Sequence, residues 1–136
     1  MLKHLASASR KRREGPSLKR FKRTSKLLKH RSTPNCAFVA FQSTSKLGAT
    51  RAFSRLKTCV TKRNTVVETT RYTHPTTRAK YIRYVVQHGK HKFHDDVEIA
   101  LHQKTIAMRS SSREGVYDMG VNDKRVEGVV KCTRLA

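Results

Sequence analysis

Short apolar runs with polar interruptions fill the middle of the chain. Cys36-Ala-Phe-Val-Ala-Phe-Gln42 predicts a first strand. Ser43 to Arg51 reads as a polar, basic loop in which Gly48 is free to take a positive φ. Ala52 to Thr61 reads as a second strand, with Phe53, Leu56 and Cys59 apolar and Arg55 and Lys57 charged. After a turn at Lys62-Arg63-Asn64, Thr65 opens a third strand, and a fourth runs to about Val86. Between these two lies His74-Pro75-Thr76-Thr77, and Pro75, lacking an N–H, belongs between strands rather than in one. Further on, Asp95-Asp96 suit a helix N-terminus. Val97, Ile99, Ala100, Leu101, Thr105, Ile106 and Met108 include the 3–4 spacing of an apolar helical face, so a helix is expected from about Asp96 to Met108, ended by Ser110-Ser111-Ser112. Val116 to Val130 reads as a second hairpin or an extended tail that docks on a neighbour.

The expected fold class is therefore mainly β with added α. It comprises a small antiparallel three- to four-stranded meander, a basic extended N-terminal arm, one C-terminal helix and a tail hairpin. Three regions follow: a basic arm over 1–34, a small RNA-binding β domain over 35–94, and a helix-plus-tail extension over 95–136.

Charge changes the picture most. The 136 residues carry a net charge of +22 and a pI near 10.9. Residues 1–94 hold 24 Lys and Arg against two acids, whereas residues 95–136 hold seven of each sign. A surface so unbalanced adsorbs to polyanions, and nucleic acid is the natural partner because neutralised phosphates release counterions. The neutral last third reads as a packing or protein-contact element. No apolar run approaches the roughly 20 residues that a membrane-spanning helix needs, so no span is expected.

The arm contains Arg10-Lys11-Arg12-Arg13 and Lys19-Arg20-Phe21-Lys22-Arg23, with too little apolar surface to fold alone. Its first ten residues, acid-free with Leu2, Leu5 and hydroxyls, resemble a mitochondrial targeting segment, and the basic clusters equally suit a nuclear localisation signal. In the hairpin Val66–Val86, Arg71, Arg78, Lys80 and Arg83 are interleaved with Tyr72, Tyr81 and Tyr84, offering charge to phosphates and flat faces to bases. An ordinary hairpin with a solvated basic face is the plainer reading of the same residues.

Cys36, Cys59 and Cys132 are widely separated with no C-x-x-C pair, so they read as reduced, small apolar residues. His88, His91 and His94 recur at three-residue intervals, but Gly89 and the neighbouring lysines disfavour convergence on a metal. There is no G-x-S-x-G, Walker A or G-x-G-x-x-G sequence, and no catalytic residue, metal or cofactor is expected. Asp95, Asp96 and Glu98 could hold a divalent ion as in a nuclease, against the more ordinary reading of a helix start.

The segment Val67-Glu68-Thr69-Thr70-Arg71-Tyr72-Thr73-His74-Pro75-Thr76-Thr77-Arg78, ending at Tyr81-Ile82-Arg83-Tyr84, resembles large-subunit ribosomal protein number thirty-three of the bacterial type. Phe38 to Ser45, then Gly48 and Phe53, look like that family's first strand, Ser/Thr-Gly loop and second strand. Lys62-Arg63-Asn64 falls at its basic turn. The likeness spans about residues 36–86. One extra residue separates Tyr72 from Pro75, and His74 replaces the usual acid. The cysteine pairs through which some members bind zinc are absent. The resemblance implies a small antiparallel sheet on large-subunit ribosomal RNA near the exit-site transfer RNA, and the extensions suit a mitochondrial member.

The expected function is thus a structural constituent of the large subunit of a mitochondrial ribosome, in the matrix, with ribosomal RNA and neighbouring ribosomal proteins as partners. The RNA-binding residues expected are Arg10, Lys11, Arg12, Arg13, Lys19, Arg20, Lys22, Arg23, Lys46, Arg51, Lys62, Arg63, Arg71, Tyr72, Arg78, Lys80 and Arg83. The alternative is an exchangeable RNA-binding or RNA-chaperone module, with a metal-dependent nuclease behind it.

Overall fold

Five antiparallel strands form one sheet in the order β1-β5-β4-β3-β2 in the computed structural model, which describes residues 15–29, 35–113 and 120–134. The strands are β1 (Cys36–Gln42), β2 (Thr65–Thr73), β3 (Lys80–His88), β4 (Phe93–His102) and β5 (Thr105–Ser112). The helices are α1 (Leu18–Thr24), α2 (Lys46–Arg63) between β1 and β2, and α3 (Val121–Thr133) after β5. β1 and β2 are the two edges, and a register shift between Val66 and Glu68 breaks the ladder near the start of β2. Among the described residues, no helix is long and apolar enough to cross a membrane.

This corrects the expected three- to four-stranded meander with one C-terminal helix. The first strand and the proline-turned hairpin stand where the apolar runs put them, at β1 and β2–β3. Of the loop and second strand expected over 43–61, everything from Lys46 on is instead the single helix α2. Ala49, Ala52, Phe53, Leu56, Cys59 and Val60 make one stripe at 3–4 spacing and all are buried. Ser45 caps the helix, its hydroxyl accepting from the Gly48 N–H at 2.9 Å, and Lys62 and Arg63 meet its negative end.

The helix expected over 96–108 is the β4–β5 hairpin. Val97, Ile99 and Leu101 point to one face while Asp96, Glu98 and Ala100 point to the other, a period of two that won over the accidental 3–4 spacing. Gln103, at φ 56°, turns the chain tightly between the strands. The tail hairpin is overturned where it can be judged: 121–133 is α3, and its first part, 116–119, lies outside the described residues. The arm is not wholly extended either, since α1 occupies Leu18–Thr24; residues 1–14 lie outside the described part.

The two faces of the sheet are covered differently. On one, which we term the helical face, α2 and α3 pack over Ile82, Tyr84, Val86, Val97, Ile99, Leu101, Ile106 and Met108. On the other, the arm face, Leu18, Phe21 and Leu27 cover Ala79, Tyr81 and Ala100, so the arm buries a small apolar cluster of its own. The cysteine reading is corrected as well. Cys59 of α2 and Cys132 of α3 form a disulfide across 73 residues, and Cys36, outside that bridge, is buried. The bridged cysteines lie on two helices whose pairing no strand-based reading of residues 52–61 could suggest.

Candidate polyanion interface

The charged residues divide into an internal set and an external one. Three of the acids are fully buried, and each meets arginine. On the arm face, Arg113 grips Asp96 with two nitrogens, at 2.9 and 3.0 Å, and Arg83 reaches the same carboxylate at 3.2 Å. Arg83 also donates to the Thr70 hydroxyl at 2.9 Å and pairs with Glu68 at 3.3 Å. One step along, Glu98 accepts from the Tyr81 hydroxyl at 2.6 Å and from the Ser17 N–H and hydroxyl at 2.8 and 2.9 Å, with Arg109 at 3.5 Å. Burial pushes the Glu98 carboxyl above its usual range, against the lowering effect of these donors. Burial, and then the neighbouring Glu98, likewise raise the Tyr81 phenol.

On the helical face, Asp95 lies 2.8 Å from Arg125 and 2.9 Å from His88. Arg125 also donates to Ser110 and Asn122, tying α3 to β5. The carboxylates weighed as a nuclease metal set therefore do not converge. Asp95 faces one side of the sheet, Asp96 and Glu98 the other, and all are engaged by cations. His88 and His94 diverge in the same way, His94 turning to Gln87 at 3.0 Å.

The external set is almost purely cationic. Of the acids among the described residues, Glu68, Asp123 and Glu127 alone are exposed, and none is on α1 or α2. Arg51, Arg55 and Lys62 line the outer stripe of α2, beginning near Lys46. Lys19, Lys22 and Arg23 stand on α1, with Arg20 half-buried. Arg63 lies across α3, where a side chain at Gly128 would meet its guanidinium at 2.9 Å. Arg71, Arg78 and Lys80 are exposed around the β2–β3 turn.

The expected residues are thus not one patch: α1 and α2 stand on opposite faces, joined around the end of the β2–β3 hairpin. Arg83 departs from the expected RNA face altogether, being fully buried. Strand alternation sends it, with Tyr81, to the arm face, where the acids of β4 await it. Arg10, Lys11, Arg12 and Arg13 lie outside the described residues. Sequence reasoning missed that arginines match the buried acids, Arg83, Arg109 and Arg113 on the arm face and Arg125 on the helical face. The equal charge count after residue 94 was the signal for the last three.

At the hairpin end the geometry is most definite. His74 fixes the turn: its Nδ1 accepts from the Thr76 and Thr77 N–H groups at 3.2 Å, which leaves Nε2–H to donate to the Lys22 carbonyl at 3.0 Å. The Tyr72 ring is held by the edge of Phe21 and by the Lys22 ammonium, 5.4 Å above it. Beside Tyr72, a cleft of about 210 Å³ opens between α2 and the strands. It is lined by Phe53 and Lys57 of α2, Arg71 to Thr73 of β2, and Lys80 to Ile82 of β3. A second cleft of about 530 Å³ is lined by both bridged cysteines together with Arg55 and Arg134.

Residues 26–131 match a family described as a protein of unknown function, DUF1499. The chain belongs to that family. No curated protein matches it. The family match takes in the sheet, α2 and nearly all of α3, and begins beyond α1, so the helix that covers Tyr81 and Glu98 lies N-terminal to the matched residues. Nothing in these findings points to a ribosomal protein, and α2 occupies the place where the ribosomal likeness implied a loop and a second strand.

Proposed function

We propose that the protein is a non-catalytic RNA-binding protein that engages phosphate backbones through its exposed cations. It would act as a fixed constituent of a ribonucleoprotein particle, such as a mitochondrial large ribosomal subunit, or as an exchangeable module. One observation carries this reading. The fold turns Asp95, Asp96 and Glu98 inward onto arginines and leaves α1, the outer stripe of α2 and the β2–β3 turn without an exposed acid. Contacts of this kind position a protein on nucleic acid without reading its sequence.

The test is the salt dependence of binding to single-stranded RNA. Log affinity should fall with log salt by roughly 0.7 per phosphate neutralised, and replacing Arg51, Arg55 and Lys62 together by Ala should flatten the slope by about 2. A slope near zero would end the proposal.

The Cys59–Cys132 disulfide supports a second reading, because such bridges persist in oxidising compartments, where nucleic acid is an uncommon partner. There the same cations would lie on an anionic lipid surface. Salt-dependent flotation with phosphatidylserine vesicles but not with phosphatidylcholine, alongside weak RNA binding, would favour it.

A further inference from the structure

We infer that the cleft beside Tyr72 is a seat for a phosphate monoester. Cations from three separate elements line it, Lys57 of α2, Arg71 of β2 and Lys80 of β3, and no carboxylate is among its lining residues. Thr73 pairs with Lys80, so Arg71, two residues earlier on the same strand, is its diagonal neighbour on the helical face. Diagonal side chains have β-carbons about 7–8 Å apart, within the span of two cations that hold different oxygens of one phosphate. The third cation approaches from the opposite wall. The Lys57 ammonium stands 4.9 Å from the centre of the Phe53 ring, an apolar floor that displaces water and strengthens its pull on any anion.

Size and shape narrow the ligand. A volume of about 210 Å³ equals the liquid share of about seven waters and falls below the roughly 300 Å³ at which pockets for whole drug-sized molecules begin. It suits a charged head group whose remainder stays outside. A monoester carries between one and a half and about two negative charges at neutral pH, matching three cations better than the single charge of an internal phosphodiester. A diester must also find room for chain on both sides. Arg71 supplies a planar fork for two oxygens, while Lys57 and Lys80 act as point charges. The floor of the seat is set by the sheet and by buried Phe53 of α2, while the Tyr72 ring turns to the arm face, where it packs against Phe21 and anchors β2 from the other side.

Such a group could end an RNA strand or belong to a free phosphorylated compound. The RNA source rests on the function proposed above; the seat itself does not. The full chain, labelled with ¹⁵N, is titrated with inorganic phosphate at constant ionic strength. Its affinities for one short RNA with a 5′-phosphate and with a 5′-hydroxyl are then compared.

Phosphate should move the amides of Lys57, Arg71, Tyr72 and Lys80 first, and the 5′-phosphorylated RNA should bind about tenfold tighter, the worth of one charge-assisted hydrogen bond. In Arg71→Ala/Lys80→Ala, two exposed positions, that ratio should fall to about one. Cleft shifts without RNA binding would keep the seat, assign it to a free phosphorylated compound, and remove the RNA reading. Equal binding of both RNAs, with cleft amides unmoved by phosphate, would overturn the seat and leave the RNA reading intact.

Discussion

Breaking the Cys59–Cys132 bridge gives the most quantitative check on how the helical face is held. The bridge closes 73 residues, which include all of β2 through β5, and joins two helices near their C-terminal ends. In the chain-entropy account, a loop of that length raises the free energy of the unfolded state by about 4.4 kcal/mol at room temperature. For a domain of this size, about 4 °C of melting temperature accompanies each kcal/mol, so removal should lower the midpoint by roughly 15–20 °C. The assay is thermal unfolding followed by circular dichroism, on the chain with and without reductant and on Cys59→Ser/Cys132→Ser. Thiol titration in denaturant should find one reactive group before reduction, Cys36, and three after it. A midpoint shift below about 5 °C, or three thiols at the outset, would refute the account. The same count on protein alkylated inside cells reports the redox poise of its compartment.

Two further outcomes test the arm face. The Glu98 carboxyl is raised by burial, so between its unfolded and folded values the native state holds a proton that the unfolded chain has released. This share of stability is full below the unfolded value, near 4.3, and is lost as pH rises through the folded one. Glu98→Gln should abolish that falling slope in urea midpoints measured across pH, and an unchanged slope would mean that another group titrates. Phe21→Ala removes a fully buried ring, a loss of about 3–5 kcal/mol that here falls on docking of the arm. Exchange of the Ser17 N–H, bonded to Glu98, should then accelerate at least 100-fold, limited by undocking of the arm, while β3 and β4 amides stay protected. Equal loss of protection throughout would show that α1 belongs to the global folding unit.

Much of the sheet is legible in the chain. Cys36–Gln42 and the two runs flanking Pro75 announce themselves by alternation and β-branching, and the proline sets their turn. The failures share a cause. Over 46–63 and 96–108, residues satisfy both periods at once, and local text does not say which side will be covered. The spacing of Phe53, Leu56 and Cys59 suits a helix, but Gly48 and the surrounding hydroxyls read as a loop. In fact Ser45 and Gly48 form the cap that starts the helix. In β4, the acids that suggested a helix start are the polar half of an alternation, and they are tolerable there only because arginines from β3, β5 and beyond arrive opposite them. That matching is a property of register, which a linear reading does not contain. The cationic surface was legible from composition. Its division between two faces, the loss of Arg83 to the interior and the cleft at Lys57 were not.

The edge position of β2 has a consequence for self-association. An open strand invites a second copy to add to the sheet, and this one discourages it with a ladder break near Glu68 and with the exposed cation Arg71 near its far end, beside Lys80 of β3. Those cations also face any bound polyanion. On the proposed function, occupancy would cancel the repulsion that keeps the edges of two molecules apart, so a strand guarded in the free protein would become able to align with a second copy along a shared anionic scaffold.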